Sequence, residues 1–315
     1  MATSGTIDWL ADRDEIITEA LEQLGILAEG DTPSSDQLTS CGRTLNYMVK
    51  GWQARGLPLW AMQRQYVFLQ KAQRVYSLVG TTSDHVSTEI YQTTTSAAAA
   101  ASATTITVAD GSDFTTGDKV GVQLTSGTDV EWTTSATVSG NTITVSALST
   151  AVDSGAVVYG YTNKGGRPYD LTGPVVVRNK DSVDVPVEII SRQEYHDLTN
   201  KTSDGRPNQV YYDPQVGTGK LFVWPEASQE TDYLVMWVNR TLEDYDAAGD
   251  DSDFPQEWFM ALSYNLALNL VPKFGASSES FNQIKALAGM WLADAESSDT
   301  EAGMDWRPDE RSRRG

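Results

Sequence analysis

Residues 205–227 read GRPNQVYYDPQVGTGKLFVWPEA. Two runs of β-prone and aromatic side chains flank a Gly-Thr-Gly turn, the pattern of a hairpin. Along the first run Val210 and Tyr212 face one way and Tyr211 the other; along the second, Leu221 and Val223 oppose Phe222 and Trp224. The next strand, DYLVMWVNR at 232–240, sets Tyr233, Val235 and Trp237 against Leu234, Met236 and Val238. A sheet apolar on both faces has to be covered on both. One face can take the chain's own helices. The other is expected to meet a neighbouring subunit, which puts Tyr211, Tyr212, Phe222, Trp224 and Trp237 at a subunit interface.

The GTGK at 217–220 invites a phosphate-loop reading, but Pro214 stands where that loop needs glycine and Leu221 where it needs Ser or Thr. It is a hairpin turn. Upstream, Gln65–Val79 reads as another hairpin, YVFLQ and RVYSLV about a KAQ turn. VPVEII at 185–190 is a strand whose Pro186 suggests an edge, and SRQEYHDLTNK a short helix.

The ends of the chain have a helical period. Ile17, Leu21 and Leu24 lie on one face of a helix that Gly25 helps to end. Ser34 and Gln37 form a capping-box pattern, and Leu38, Cys41, Leu45, Met48 and Trp52 then make one apolar stripe. Pro255, with Asp253 and Gln256 spaced as a cap, opens QEWFMALSYNLALNLV, which is apolar nearly all round. A last helix carries Phe281, Ile284, Ala288 and Trp291 on one face.

Between these textures, residues 91–161 are rich in Ala, Thr, Ser, Gly and Val, with Lys119 the one basic residue. Short β-prone runs alternate with turn clusters such as ADGSD and SGN. The reading is α+β: a body of helical bundle and small β-sheet over 1–90 and 162–297, and an inserted all-β domain, barrel or sandwich, over 91–161. The insertion should be self-contained and peripheral. Residues 298–315 form an extended C-terminal tail.

The chain has 315 residues, a formal net charge of −20 and a single cysteine. Such acidity opposes a broad grip on nucleic-acid phosphates. Lone Cys41 excludes an intramolecular disulfide and reads as a small core residue. MATSGTIDWLADRDE lacks a basic segment followed by an apolar run, and no apolar stretch approaches the ~18 residues of a membrane span, so synthesis and folding in a cytoplasm are expected.

Little chemistry emerges. His85 and His196 are far apart in sequence, with Cys41 the only thiol, so no zinc pattern forms; nor does a GxSxG turn. EDYDAAGDDSD at 243–253 mimics a calcium loop, but Ala248 and Pro255 occupy two ligand positions. It reads as a solvated loop capping the next helix. Paired carboxylates and aromatic platforms keep open a cell-wall glycan hydrolase or glycan-binding tail component. No pair is singled out, and the expectation is a non-enzyme without catalytic, metal or cofactor residues.

Taken in order, Arg192-Gln-Glu-Tyr195, Gly205-Arg-Pro207, Tyr211-Tyr212, Trp224-Pro225 and Asp253-Phe-Pro-Gln-Glu-Trp258 leading to Asn265-Leu-Ala267 resemble the head-to-tail adaptor proteins of short-tailed bacteriophages. These are also called tail accessory factors or portal-binding connectors. The N-terminal helices ending WQARGLPLW fit as well; residues 91–161 are not covered. The resemblance implies a ring of twelve copies beneath the portal protein, extending the DNA channel and offering a platform to tail nozzle and fibre proteins. DNA would pass the lumen without specific binding, no membrane would be involved, and the protein would reside in the virion. It also implies that the C-terminal segment reaches the portal, with Trp306 as an apolar anchor and Arg307, Arg311, Arg313 and Arg314 pairing with portal carboxylates. That segment would be disordered alone and ordered on docking.

Overall fold

The computed structural model describes residues 10–56, 60–79 and 85–298. Helices and strands mix in an α+β architecture, and the chain divides into two compact units. One joins Met1–Ala61 to Leu242–Gly315; the other is Met62–Thr241.

The first unit holds helices α1 (Arg13–Gln23), α2 (Ser35–Gln53), α4 (Phe259–Phe274) and α5 (Ser278–Ser298), numbered along the whole chain. Ser34 and Gln37 cap α2 reciprocally, as their spacing predicts. Asp12 and Glu15 do the same for α1. Gly25, at φ +71°, turns the chain out of α1 with its N–H on the Glu22 carbonyl. The α2 stripe is buried at Cys41, Leu45, Met48 and Trp52, in one core with Ile17 and Leu21 of α1 and Leu262, Leu266 and Leu270 of α4. Burial pushes the Cys41 thiol up, as suits an unreactive core residue. Trp52, Trp60, Phe254 and Trp258 interlock with ring centroids 4.8–6.1 Å apart.

Pro255 leads into α4 through a short turn rather than directly. Residues 256–258 make a 3-10 turn without a side-chain cap, because the cap position is Pro255, which offers no acceptor. The Asp253 carboxylate accepts the Glu243 N–H at 3.2 Å, inside the acidic loop.

In the second unit, among the described residues, nine strands form one nearly closed, barrel-like sheet. They are β1 (Met62–Phe68), β2 (Val75–Leu78), β3 (Val86–Ser87), β11 (Pro168–Asp170), β12 (Val175–Arg178), β13 (Asp184–Ile189), β15 (Gln209–Pro214), β16 (Gly219–Trp224) and β18 (Tyr233–Arg240). The order is β2-β16-β15-β13-β12-β18-β1-β3, with β11 also on β18. The expected β1–β2 hairpin is absent: β1 pairs with β18 and β3, and β2 with β16. β18 offers β1 a longer partner, in register from Met62–Asn239 to Phe68–Tyr233. Only residues 69–74 link β1 to β2, so the two ends of the strand order must curl round towards each other. Pro186 lies in a strand with two neighbours, but β15 pairs only with Glu188 and Ile189, leaving the proline a local edge.

The alternation read from the sequence holds. Val210, Tyr212, Leu221, Val223, Leu234, Met236 and Val238 fill the barrel interior. Tyr211, Phe222, Tyr233 and Val235 belong to clusters on the other face.

Residues 91–161 build two further sheets. β4 (Tyr91–Thr94), β10 (Val157–Tyr161), β6 (Lys119–Gln123) and β7 (Val130–Thr134) form one; β5 (Thr105–Thr107), β9 (Thr142–Thr144) and β8 (Thr137–Ser139) the other. VEWTTSATV is thus two strands in different sheets. The sheets share a core of Ile106, Phe114, Val120, Val122, Ile143 and Val158. The segment is not the detached decoration expected from its composition. β10 is buried at every position, and Val157, Tyr159 and Tyr161 pack with Phe68, Tyr233 and Val235 outside the barrel. The Tyr159 hydroxyl donates to the Thr231 carbonyl at 2.7 Å.

Candidate interaction surfaces

The second apolar face of the hairpin is covered largely by the chain itself. Helix α3 (Arg192–Asp197) starts at Ser191, which exchanges capping hydrogen bonds with Glu194. That start drops Tyr195 onto the hairpin, where its ring lies 5.9 Å from Tyr211 and 5.1 Å from Phe222. Tyr211 and Phe222 stack at 5.5 Å, and Ile190, Leu198 and Trp224 complete the cluster. Arg192 closes its edge, Nε donating to the Tyr211 hydroxyl and Nη2 to Asp213 Oδ1, both at 2.7 Å. Lys201 donates to the His196 and Leu198 carbonyls and lies 5.7 Å over the Tyr195 ring. Trp224 Nε1 donates to the Asn200 carbonyl at 2.7 Å.

Each proposed interface residue now has a place. Tyr211, Phe222 and Trp224 lie together beneath α3, buried or half-buried. Tyr212 points into the barrel, donating to the Pro168 carbonyl at 2.6 Å, and burial pushes its hydroxyl up to about 12. It cannot form a subunit contact, and the interface assignment is corrected there. A Cβ on Gly219 would stand 2.6 Å from the Tyr212 oxygen, so a glycine is required beside that ring. Trp237 is separate from this cluster, half-buried, with the Arg64 guanidinium 4.6 Å over its ring. Trp306, Arg307, Arg311, Arg313 and Arg314 lie outside the described residues.

Arg206 of Gly205-Arg-Pro207 donates to Asp232 at 2.9 Å. Burial raises the Asp232 carboxyl and the arginine partly offsets this. RQEY thus packs on the hairpin that carries YY and WP, while Gly205 of GRP pairs with Ala227 just beyond it. DFPQEW and the tryptophans of WQARGLPLW converge on the aromatic cluster of the helical unit. The short helix read from SRQEYHDLTNK is present as α3, but its seat on the hairpin was not foreseen; the signal was Ser191-x-x-Glu194 before an aromatic.

The acidic loop serves itself and α2. Ala247 N–H donates to Asp250 at 2.6 Å, Lys50 pairs with Asp244 at 2.7 Å, and Asn46 bonds both backbone groups of Tyr245. Among the described residues no group of three or more His, Cys, Asp or Glu side chains is placed to hold a metal ion. His85 stacks on Trp132 at 4.8 Å, and His196 is exposed on α3. Among the described residues no helix is long and apolar enough to cross a membrane. Neither a family model nor a curated protein matches the chain.

Proposed function

We propose that this chain is a virion structural protein, a head-to-tail adaptor that rings the portal and extends the DNA channel to the tail nozzle, retaining packaged DNA. It acts without catalysis or cofactor, in about twelve copies, as an α+β body carrying an inserted β domain. The observation that carries this reading is the convergence of the adaptor-like motifs. The RQEY segment seats Tyr195 on the hairpin that carries Tyr211 and Trp224, and Arg192 donates to the Tyr211 hydroxyl. Motifs that together specify one packing arrangement are expected to pack on one another in this way. The formal net charge of −20 supports it too, since a conduit that releases DNA quickly must not hold phosphates.

In this reading the C-terminal Trp306 and its arginines engage the portal, and subunits meet through what the hairpin and α3 leave exposed. The test mixes the purified protein with portal rings of the same virus, followed by electron microscopy and native mass spectrometry. A ring of copies stacked on one end of the portal is expected. Failure to join portal rings, with turnover of purified peptidoglycan lost on a single Asp or Glu substitution, overturns it in favour of a glycan hydrolase.

A further inference from the structure

In the helical unit an open groove of about 570 Å³ runs between α1 and the start of α4. Ala11, Ile16, Phe259 and Met260 give it apolar walls, and Asp12, Glu15 and Glu19 are among its acidic lining. Its size falls in the range that takes a ligand or a few side chains. Met260 is 39% exposed, and Leu10, just ahead of the groove's Ala11, is 45% exposed. Gln23 donates to both Glu19 and Ser263, which line the groove, while its own Oε1 is buried and accepts from no donor. The groove therefore asks for one apolar group flanked by cationic hydrogen-bond donors.

The same chain carries that combination. WRPDERSRRG at 306–315 sets a tryptophan beside four arginines, against Asp309 and Glu310. The geometry brings it close. α4 and α5 are joined by the short stretch 275–277 and so run antiparallel, tied where Asn265 Nδ2 donates to the Ala288 carbonyl at 3.1 Å. α5 accordingly ends beside the 3-10 turn at 256–258, with Leu292 and Ala295 in one core with Trp258 and Phe259. The chain leaves Ser298 at the end of α4 that lines the groove. Trp306 is eight residues further on, a reach of up to ~28 Å. The groove's α1 wall, residues 11–19, is only about 12 Å long.

We propose that the C-terminal segment docks in cis on this groove, Trp306 against Ile16, Phe259 and Met260, its arginines on Glu15, Glu19 and the Gln23 carbonyl. The segment that the adaptor reading sends to a partner is thus held by its own chain until that partner displaces it. The docking itself does not depend on the partner's identity. Apolar contact and charge-assisted hydrogen bonds act together, so either change alone weakens it.

The test is fluorine NMR on the full chain with every tryptophan replaced by 5-fluorotryptophan, the Trp306 signal being assigned by Trp306→Phe. In the free protein that signal should be shielded from a soluble paramagnetic agent. It should become accessible in Met260→Asp and, separately, in Glu15→Gln/Glu19→Gln. Met260 is already part-exposed, and circular dichroism confirms that each variant remains folded. A Trp306 signal as accessible in the native protein as in the variants overturns the docking. Shielding that disappears on dilution overturns the cis arrangement, because the groove is then filled by a second copy. Because no portal is present, failure here leaves the adaptor reading standing, and failure to bind portal rings leaves this one.

Discussion

The barrel and the 91–161 segment are both β-structures, built from opposite materials. The barrel interior is filled by Leu, Val, Met and two tyrosines, and large rings also load its outer face. The inserted segment has small residues and a thin aliphatic core with Phe114 as its buried ring and half-buried Tyr91 against it. Its texture suggested independence, yet its largest contacts, Tyr159 and Tyr161, are given to the barrel. Composition reports what a segment is made of; burial on every position of β10 reports whom it serves. The outer face of the barrel is covered in two patches, by α3 over the hairpin and by β10 over β1 and β18.

The comparison breaks most severely if the two are separable. Deleting 91–161 with a Gly-Ser bridge should uncover Phe68, Tyr233 and Val235 and leave a product that aggregates or binds hydrophobic dye. A soluble deletion product with a cooperative thermal transition would mean the segment is an independent decoration after all.

Within the segment, Gly160 is the sharper probe. A Cβ there would come 2.3 Å from the Phe114 ring, so Gly160→Ala should cost about 1–3 kcal/mol. Gly166→Ala, where nothing lies within 4 Å, should change little by comparison. Equal denaturation midpoints for the two would show that the thin core yields freely.

On the α3 patch, Tyr211→Phe keeps the ring and removes the oxygen that accepts from Arg192. A loss of about 0.5–1.5 kcal/mol in urea unfolding is expected, and Arg192→Ala combined with it should be less than additive. Strict additivity would show that the hydroxyl and guanidinium act separately.

The smallest effect concerns the barrel rim, where Arg178 grips Asp184 through two hydrogen bonds of 2.6 and 2.7 Å. The Arg178 hydrogen bonds hold the Asp184 carboxyl below its usual range. The unfolded chain then binds the proton more readily, so the contribution is present above the ordinary aspartate pKa and fades as pH falls through the lowered one. The pair is largely solvated, so Asp184→Asn should cost under about 1 kcal/mol near neutrality and nothing at strongly acidic pH. A cost unchanged at acidic pH would assign it to packing.

Much of this was legible. The side-chain alternation of β15, β16 and β18 was readable because each strand is short, unbroken and strictly two-fold. The Ser34 cap and the Cys41–Trp52 stripe were readable because both depend on residues within one or two turns. The β1–β2 pairing was misread because a short link between two strands usually means a hairpin, and only the distant β18 could outcompete it. The start of α4 falls later than Pro255 suggests because residues 256–258 first take a 3-10 turn. Tyr212 and Tyr211 look alike in sequence, and which of them meets the interior depends on which face the barrel curls towards. A lid as short as α3 carries too few residues for any period to show.

The way the barrel closes has one more consequence. β2 and β3, the two ends of the strand order, have only four and two residues. Among the described residues, each terminal strand offers a visiting strand only a short ladder to extend. The aromatic strands β15 and β16 lie inside this order, each with a neighbour on both sides, and so are kept from templating fibrils.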